Sequence, residues 1–117
     1  MDFQNSTTYL NLQTALENEL STNGLYDLYR KRAGQEELIE IRNVFDTISR
    51  NSEFLAERLR RILNGGDTTT YQNLVDAAAR ELYAENQIYR EFSRIATEEG
   101  YDDIASLFNG IANIKLN

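Results

Sequence analysis

Residues 7–20 read Thr-Thr-Tyr-Leu-Asn-Leu-Gln-Thr-Ala-Leu-Glu-Asn-Glu-Leu, and residues 69–82 read Thr-Thr-Tyr-Gln-Asn-Leu-Val-Asp-Ala-Ala-Ala-Arg-Glu-Leu. Eight of these fourteen positions are identical, and the offset of 62 lays Glu19 on Glu81. Past one extra residue near Tyr83–Gln87 the match resumes at an offset of 63, joining Tyr26 to Tyr89, Ala33 to Ala96, Ile41 to Ile104, Phe45 to Phe108 and Ile48 to Ile111. The chain is two copies of one unit, and the repeat sets how everything else is read. One inward glutamate recurs in each copy.

Working outward, the composition favours long helices. Among 117 residues there is no proline and only six glycines, so little interrupts a helical run. The length fits one domain, 1–117, large enough for a core but short of comfortable stability alone. Nineteen acids against twelve bases leave a net charge of −7 without a basic stripe, which argues against nucleic acid and anionic membrane as partners. No apolar run reaches the length of a membrane span, and the N-terminus lacks the regions of a signal peptide, so the cytoplasm is the expected location. Without cysteine or histidine there is no disulfide, thiolate site, imidazole ligand or Ser-His-Asp triad.

The periodicity predicts four helices. The first runs from Ser6 or Thr7 to about Ala33-Gly34, with Leu12, Ala15, Leu16, Glu19, Tyr26 and Tyr29 inward. A second spans about Gln35 to Leu63, its seam formed by Leu38, Ile41, Phe45, Ile48, Ser52, Leu55, Leu59 and Ile62, and Asn64-Gly65-Gly66 stops it. The third runs from Thr69-Thr70 to Gly100 and turns Leu74, Ala77, Ala78, Glu81, Ile88, Phe92 and Ile95 inward. The last covers Asp102 to about Leu116, roughly half the length of the helix it repeats. The extra residue in the third helix fits either a π-bulge or a plain shift of packing phase.

The repeats form hairpins over 7–64 and 69–116, joined by four or five residues from Gly65 that reach at most roughly 17 Å. A second helix of about 29 residues is roughly 43 Å long. Packing the hairpins about a two-fold, with helices two and three parallel, would need a linker returning that whole distance. Two arrangements satisfy the linker: an up-down-up-down monomer, or a homodimer exchanging the second hairpin. The exchanged dimer is the expected one, because a shortened hinge promotes swapping and the short last helix leaves apolar surface to cover.

The second copy carries Asn73-Leu74, Ala77-Ala78-Ala79-Arg80-Glu81, Tyr89, then Glu91-Phe92-Ser93-Arg94-Ile95-Ala96-Thr97-Glu98-Glu99-Gly100-Tyr101 and Ile104-Ala105-Ser106-Leu107-Phe108. With Ala56-Glu57-Arg58-Leu59 and Leu63-Asn64-Gly65-Gly66, these stretches resemble the rubrerythrin branch of the ferritin-like proteins over roughly residues 9 to 115. The resemblance implies an all-α, antiparallel four-helix bundle holding a di-iron centre that reduces hydrogen peroxide. It implies ligands from a Glu on the first and third helices and a Glu-x-x-His on the second and fourth. Carried over singly, the first two fall on Glu19 and Glu81. The second-helix pair falls on Ser52 and Leu55, the fourth-helix Glu falls on Lys115, and its His would lie beyond Asn117. A further third-helix Glu of the family falls on Ala84, and the Cys-rich rubredoxin module has no counterpart.

Two glutamates offer iron too few donors, and a lysine among them opposes it. The expected protein is therefore rubrerythrin-like with a degenerate di-iron site: a non-catalytic dimeric scaffold or interaction module without a cofactor. The alternative is a residual di-iron peroxidase, oxidoreductase or iron handler. For single residues two readings stand side by side. Glu19 and Glu81 are either surviving metal ligands or polar positions paired with a cation. Lys115 either fills the vacated metal position, neutralising one or both, or points into water from a fraying turn. Glu53, Glu57 and Glu85 either join an all-carboxylate metal site beside the seam or, with Ser52 and Ala84 in the inward places, project sideways or outward as solvated charges. Tyr26 and Tyr89 either bond a glutamate through their hydroxyls or pack as aromatics. Glu36-Glu37 and Glu98-Glu99 read as solvated helix-end charges.

Overall fold

The computed structural model describes residues 2–116, and among them all regular structure is helical. Ser6 opens α1 (Thr7–Gln35), its hydroxyl accepting the Tyr9 amide at 3.0 Å. A 3-10 turn, Phe3–Asn5, precedes it. The next helix, α2 (Ile39–Asn64), stops at Gly65, whose φ of 70° is left-handed, with the Gly66 amide reaching back to Arg61 O at 2.8 Å. Thr69 caps α3 (Thr70–Ala79) in a reciprocal box. The Gln72 amide donates to the Thr69 hydroxyl at 3.1 Å, and the Gln72 side chain accepts the Thr69 amide at 2.8 Å.

The helix then widens. Arg80–Ala84 form a π turn between α3 and α4 (Glu85–Glu98), with helical dihedrals held through both junctions. One inserted residue is what a π turn absorbs, so the change of offset in the repeat is accounted for. The third helix expected over Thr70–Gly100 is thus three consecutive pieces. A short turn leads to α5 (Asp102–Leu116).

Two compact units result, Met1–Thr68 and Thr69–Asn117. In the first, α1 packs against α2; in the second, α4 packs against α5. Small residues make the contact. Ala33, Ser49, Ser52 and Ala56 are buried in the first hairpin, and Ser93, Ala96, Ala105 and Ala112 in the second. Polar clasps reinforce these seams. In the first hairpin the Asn23 amide donates to Ser49 O at 2.9 Å and to its Oγ at 3.0 Å, while Ser49 Oγ donates to Asn23 O at 3.0 Å. In the second, Asn86, one offset of 63 from Asn23, donates to Ala112 O at 2.8 Å, and Ser93 Oγ donates to Ala105 O at 2.8 Å.

The large apolar seam expected as core is only half covered. Ile41, Leu55 and Ile62 in one hairpin, and Leu74, Phe92 and Ile104 in the other, are each more than 40% exposed. Two helices make a single layer, which seals the small residues along its axis and leaves its faces open.

The tip of the first hairpin also departs from expectation. Gly34 was the anticipated stop, yet α1 runs through Gln35, and α2 begins at Ile39 rather than Gln35. The left-handed residue closing α1 is Glu37, at φ 63°, with Leu38 N bonded to Ala33 O at 2.9 Å. In the second copy Gly100 holds the same place at φ 85°, with Tyr101 N bonded to Ala96 O at 2.8 Å. Glu37 is therefore a structural turn residue as well as a surface charge. A left-handed conformation costs a non-glycine residue roughly 1–2 kcal/mol, which glycine avoids while adding unfolded-state entropy. Glu37→Gly should accordingly raise stability by about 0.5–1 kcal/mol, and Gly100→Ala should lower it by about 1 kcal/mol. Denaturant titration of both variants checks the pair, and a destabilised Glu37→Gly contradicts it.

Candidate functional site

The positions to which the resemblance carries the ligands lie midway along α1 and α2 in the first hairpin, and on the π turn and in the last turn of α5 in the second. Half-buried Glu19 sits in the middle of α1. The Asn23–Ser49 clasp fixes the antiparallel register, and one turn further brings Glu19 level with Ser52 on α2. Ser52 is 4% exposed, whereas Leu55 stands 44% exposed.

In the second hairpin the matching level is filled by charge. Lys115, in the last turn of α5, places its Nζ 2.7 Å from Glu81 Oε2 on the π turn. Both residues are half-buried. The Glu81 hydrogen bond, more than any other influence, holds the Lys115 ammonium above the ordinary lysine range, with Glu85 and Tyr89 adding attraction. The Asn86–Ala112 clasp one turn away anchors the end of α5 beside them. Lys115 thus pairs with Glu81 rather than pointing into water.

The π turn rephases the residues that follow it. Glu85, expected to project outward, is half-buried and near Lys115, while Ala84, expected inward, is exposed beside Ile88 and Phe92. Glu53 and Glu57 are exposed, Glu57 lying 3.9 Å from Arg61. Tyr26 sits in an aromatic cluster with Tyr29 and Phe45 at centroid distances of 5.1 and 5.9 Å. Tyr89 does the same with Phe92 and Phe108 at 5.9 and 6.2 Å. Aromatic packing is therefore the role seen for both tyrosines. Glu36 pairs with Arg32 at 2.8 Å, and Glu98 with Arg94. Sequence reasoning passed over Asn23 and Asn86, although their recurrence at an offset of 63 was available as a signal.

Among the described residues no three acidic, His or Cys side chains gather closely enough to hold a metal ion, and no helix is long and apolar enough to cross a membrane.

With the fold and these positions in view, the comparison with known proteins is direct. The sequence model of the rubrerythrin family matches residues 11–114, and the chain belongs to that family. It is 31% identical over 119 residues to a rubrerythrin of Nitratidesulfovibrio vulgaris, covering 92% of this chain and 62% of that protein. It is 27% identical over 121 residues to rubrerythrin-1 of Clostridium acetobutylicum, covering 90% of this chain and 62% of that one. The chain thus spans about three-fifths of the length of the curated relatives it matches.

The Lys115–Glu81 pair makes a signed prediction. Folding raises the lysine pKa, so its stabilisation is fully present below the unfolded value of about 10.4 and fades as pH rises through the folded one. Denaturation midpoints of wild type and Lys115→Met should differ by a constant margin from neutral pH to about 9, then converge above about 10.5. Convergence already between pH 7 and 9 would place the effect elsewhere.

Proposed function

We propose that this protein is a rubrerythrin-like scaffold whose di-iron site has degenerated, working as a non-catalytic homodimeric interaction module. One observation carries this reading: the ammonium of Lys115 stands 2.7 Å from Glu81, at the position where the family resemblance calls for an acidic ligand. The donor chemistry at the remaining positions supports it. Ser52 offers a hydroxyl, Leu55 and Ala84 offer nothing, and Glu19 and Glu81 are the carboxylates left. A di-iron centre of this fold draws on four carboxylates and two imidazoles, and a fixed cation in the set repels the metal it would hold. These residues do not fit a pair of iron ions, so no peroxidase step is assigned to them. An exchanged second hairpin supplies the same histidine-free sequence and does not complete the site.

The competing reading is a residual di-iron peroxidase or iron handler, favoured by the similarity to rubrerythrins. Anaerobic loading with ferrous iron, followed by gel filtration and metal analysis, separates the two. The expected result is well under one iron per chain and no peroxide consumption above the buffer rate. Two tightly held irons per site with peroxide-dependent turnover would replace the scaffold reading with the enzymatic one.

A further inference from the structure

Asparagine is followed by glycine three times in this chain, at Asn23-Gly24, Asn64-Gly65 and Asn109-Gly110. Such a pair is prone to react with itself, because glycine sets no side chain in front of its own amide nitrogen. That nitrogen reaches the asparagine Cγ only when ψ of the asparagine leaves the helical value, so the fold decides which of the three reacts.

The first and last pairs are held. Asn23 and Gly24 lie inside α1, and Asn109 and Gly110 inside α5, so turning ψ at either would break the helical ladder on both sides. Their side chains are engaged as well. Asn23 Nδ2 donates to Ser49 O and Oγ, and Asn109 Oδ1 accepts from Arg90 at 3.2 Å.

Asn64 is not held in this way. It is the exposed last residue of α2, followed by Gly65 at φ 70° and Gly66 at φ 140°. Apart from chain neighbours, no heavy atom stands within 4 Å of where a Cβ on either glycine would be, so the bond is open to water. Only the two amide hydrogen bonds that close the helix, from Gly65 and Gly66 to Arg61 O, resist the turn. Helix ends fray, and such bonds open at little cost.

The surroundings favour the reaction too. Asn64 lines a polar cleft of about 260 Å³ with Glu57, Arg60, Arg61, Asp67 and Thr68. Arg61 shares its charge with Asp67 at 2.8 Å and Glu57 at 3.9 Å. Guanidinium charge in this cleft stabilises both a deprotonated Gly65 amide and the oxyanion that forms at Cγ.

We propose that Asn64 is a self-modifying site: its side chain closes on the Gly65 nitrogen to a succinimide that opens to aspartate and isoaspartate, while Asn23 and Asn109 persist. The Gly65 nitrogen bonds to Asn64 Cγ, the Cγ–Nδ2 bond breaks, and the side-chain nitrogen leaves as ammonia with the Gly65 proton. Water then adds to one of the two ring carbonyls. Cleavage at Cγ restores the main chain with an aspartate. Cleavage at the backbone carbonyl carbon sends the chain through Cγ as isoaspartate. Nothing is oxidised or reduced, and water is the sole co-reactant.

The products differ in consequence. Either one adds a negative charge to the net −7. Aspartate keeps α2 and faces Arg60 and Arg61 one turn back, an attraction set against the negative end of the helix dipole. Isoaspartate lengthens the main chain by a methylene where α2 stops, so the Gly65 and Gly66 bonds to Arg61 O lose their register. The connection between the hairpins thereby changes as the molecule ages.

Ageing the native protein in mildly alkaline buffer made with oxygen-18 water tests the assignment. Trypsin places the three pairs in separate peptides, 1–30, 62–80 and 95–115. Mass spectrometry should find an amide-to-acid exchange carrying heavy oxygen in 62–80, located at Asn64 by fragmentation, and isoaspartyl methyltransferase should label that peptide. Exchange at Asn23 and Asn109 should be at least about 10-fold slower, because a helical turn must open first. In denaturant the three rates should converge. Asn64→Gln, whose longer side chain closes a ring far more slowly, should leave 62–80 unchanged. Native Asn64 reacting no faster than the other two overturns the proposal, as does exchange in 62–80 that persists in Asn64→Gln. Rates that stay unequal in denaturant would take the selectivity away from the fold and overturn it as well.

Discussion

Close approach of two helices through a strip of small residues is the constraint on which the rest of this structure depends. Ala33, Ser49, Ser52 and Ala56 line that strip in the first hairpin, and Ser93, Ala96, Ala105 and Ala112 in the second. Small side chains allow tight packing along the axis but contribute modest apolar burial. The large side chains, Phe45 and Ile41 or Phe108 and Ile104, flank the strip and cannot be enclosed by a single layer. A hairpin built this way is ordered along its seam and unfinished on its face.

Within this frame the two copies have kept one backbone and exchanged its chemistry. The left-handed closing residue is Glu37 in one tip and Gly100 in the other, yet the same backbone bonds form. Asn23 clasps a serine and Asn86 an alanine, but both amides reach the main-chain carbonyl at the same place. Where the first hairpin uses ion pairs, with Asp46 receiving Arg50 at 2.8 Å and Asp27 receiving Arg30 at 2.7 Å, the second sends Arg90 to the neutral Asn109 and Asn113. Backbone geometry and the small residues at Ala33/Ala96 and Ser49/Ala112 are thus what the repeat holds constant. Side-chain charge is what it varies.

That division explains what could be read before the fold was seen. Helix number, the Thr69 cap and the Gly65 stop follow from local rules, and the repeat located an inserted residue that the structure spends on a π turn at Arg80–Ala84. An alignment offset marks an insertion only within a window, so its consequence one turn later was not legible. Ala84 moved outward and Glu85 inward. Gly34 drew the expected helix end too early because glycine is the usual terminator, whereas the observed turn depends on where Ala33 accepts its hydrogen bond. Of the candidate site, the family resemblance named the positions. The Lys115–Glu81 contact was one of two options, and choosing between them required the register of α5 against the π turn.

On the proposed reading an ammonium stands where a metal ion would, and that changes what the position can do. Lysine brings one charge and three hydrogen-bond donors on a flexible stem, with no vacant coordination position and no second oxidation state. It can hold a carboxylate, as it holds Glu81 here. It cannot bind a further ligand or pass an electron. The two copies differ here, because Ser52 occupies the position equivalent to Lys115 and brings Glu19 no charge. A layer that closed over Glu19 would have to bring a cation, protonate the acid or leave it a path to water, since an unpaired carboxylate in a dry interior costs several kcal/mol.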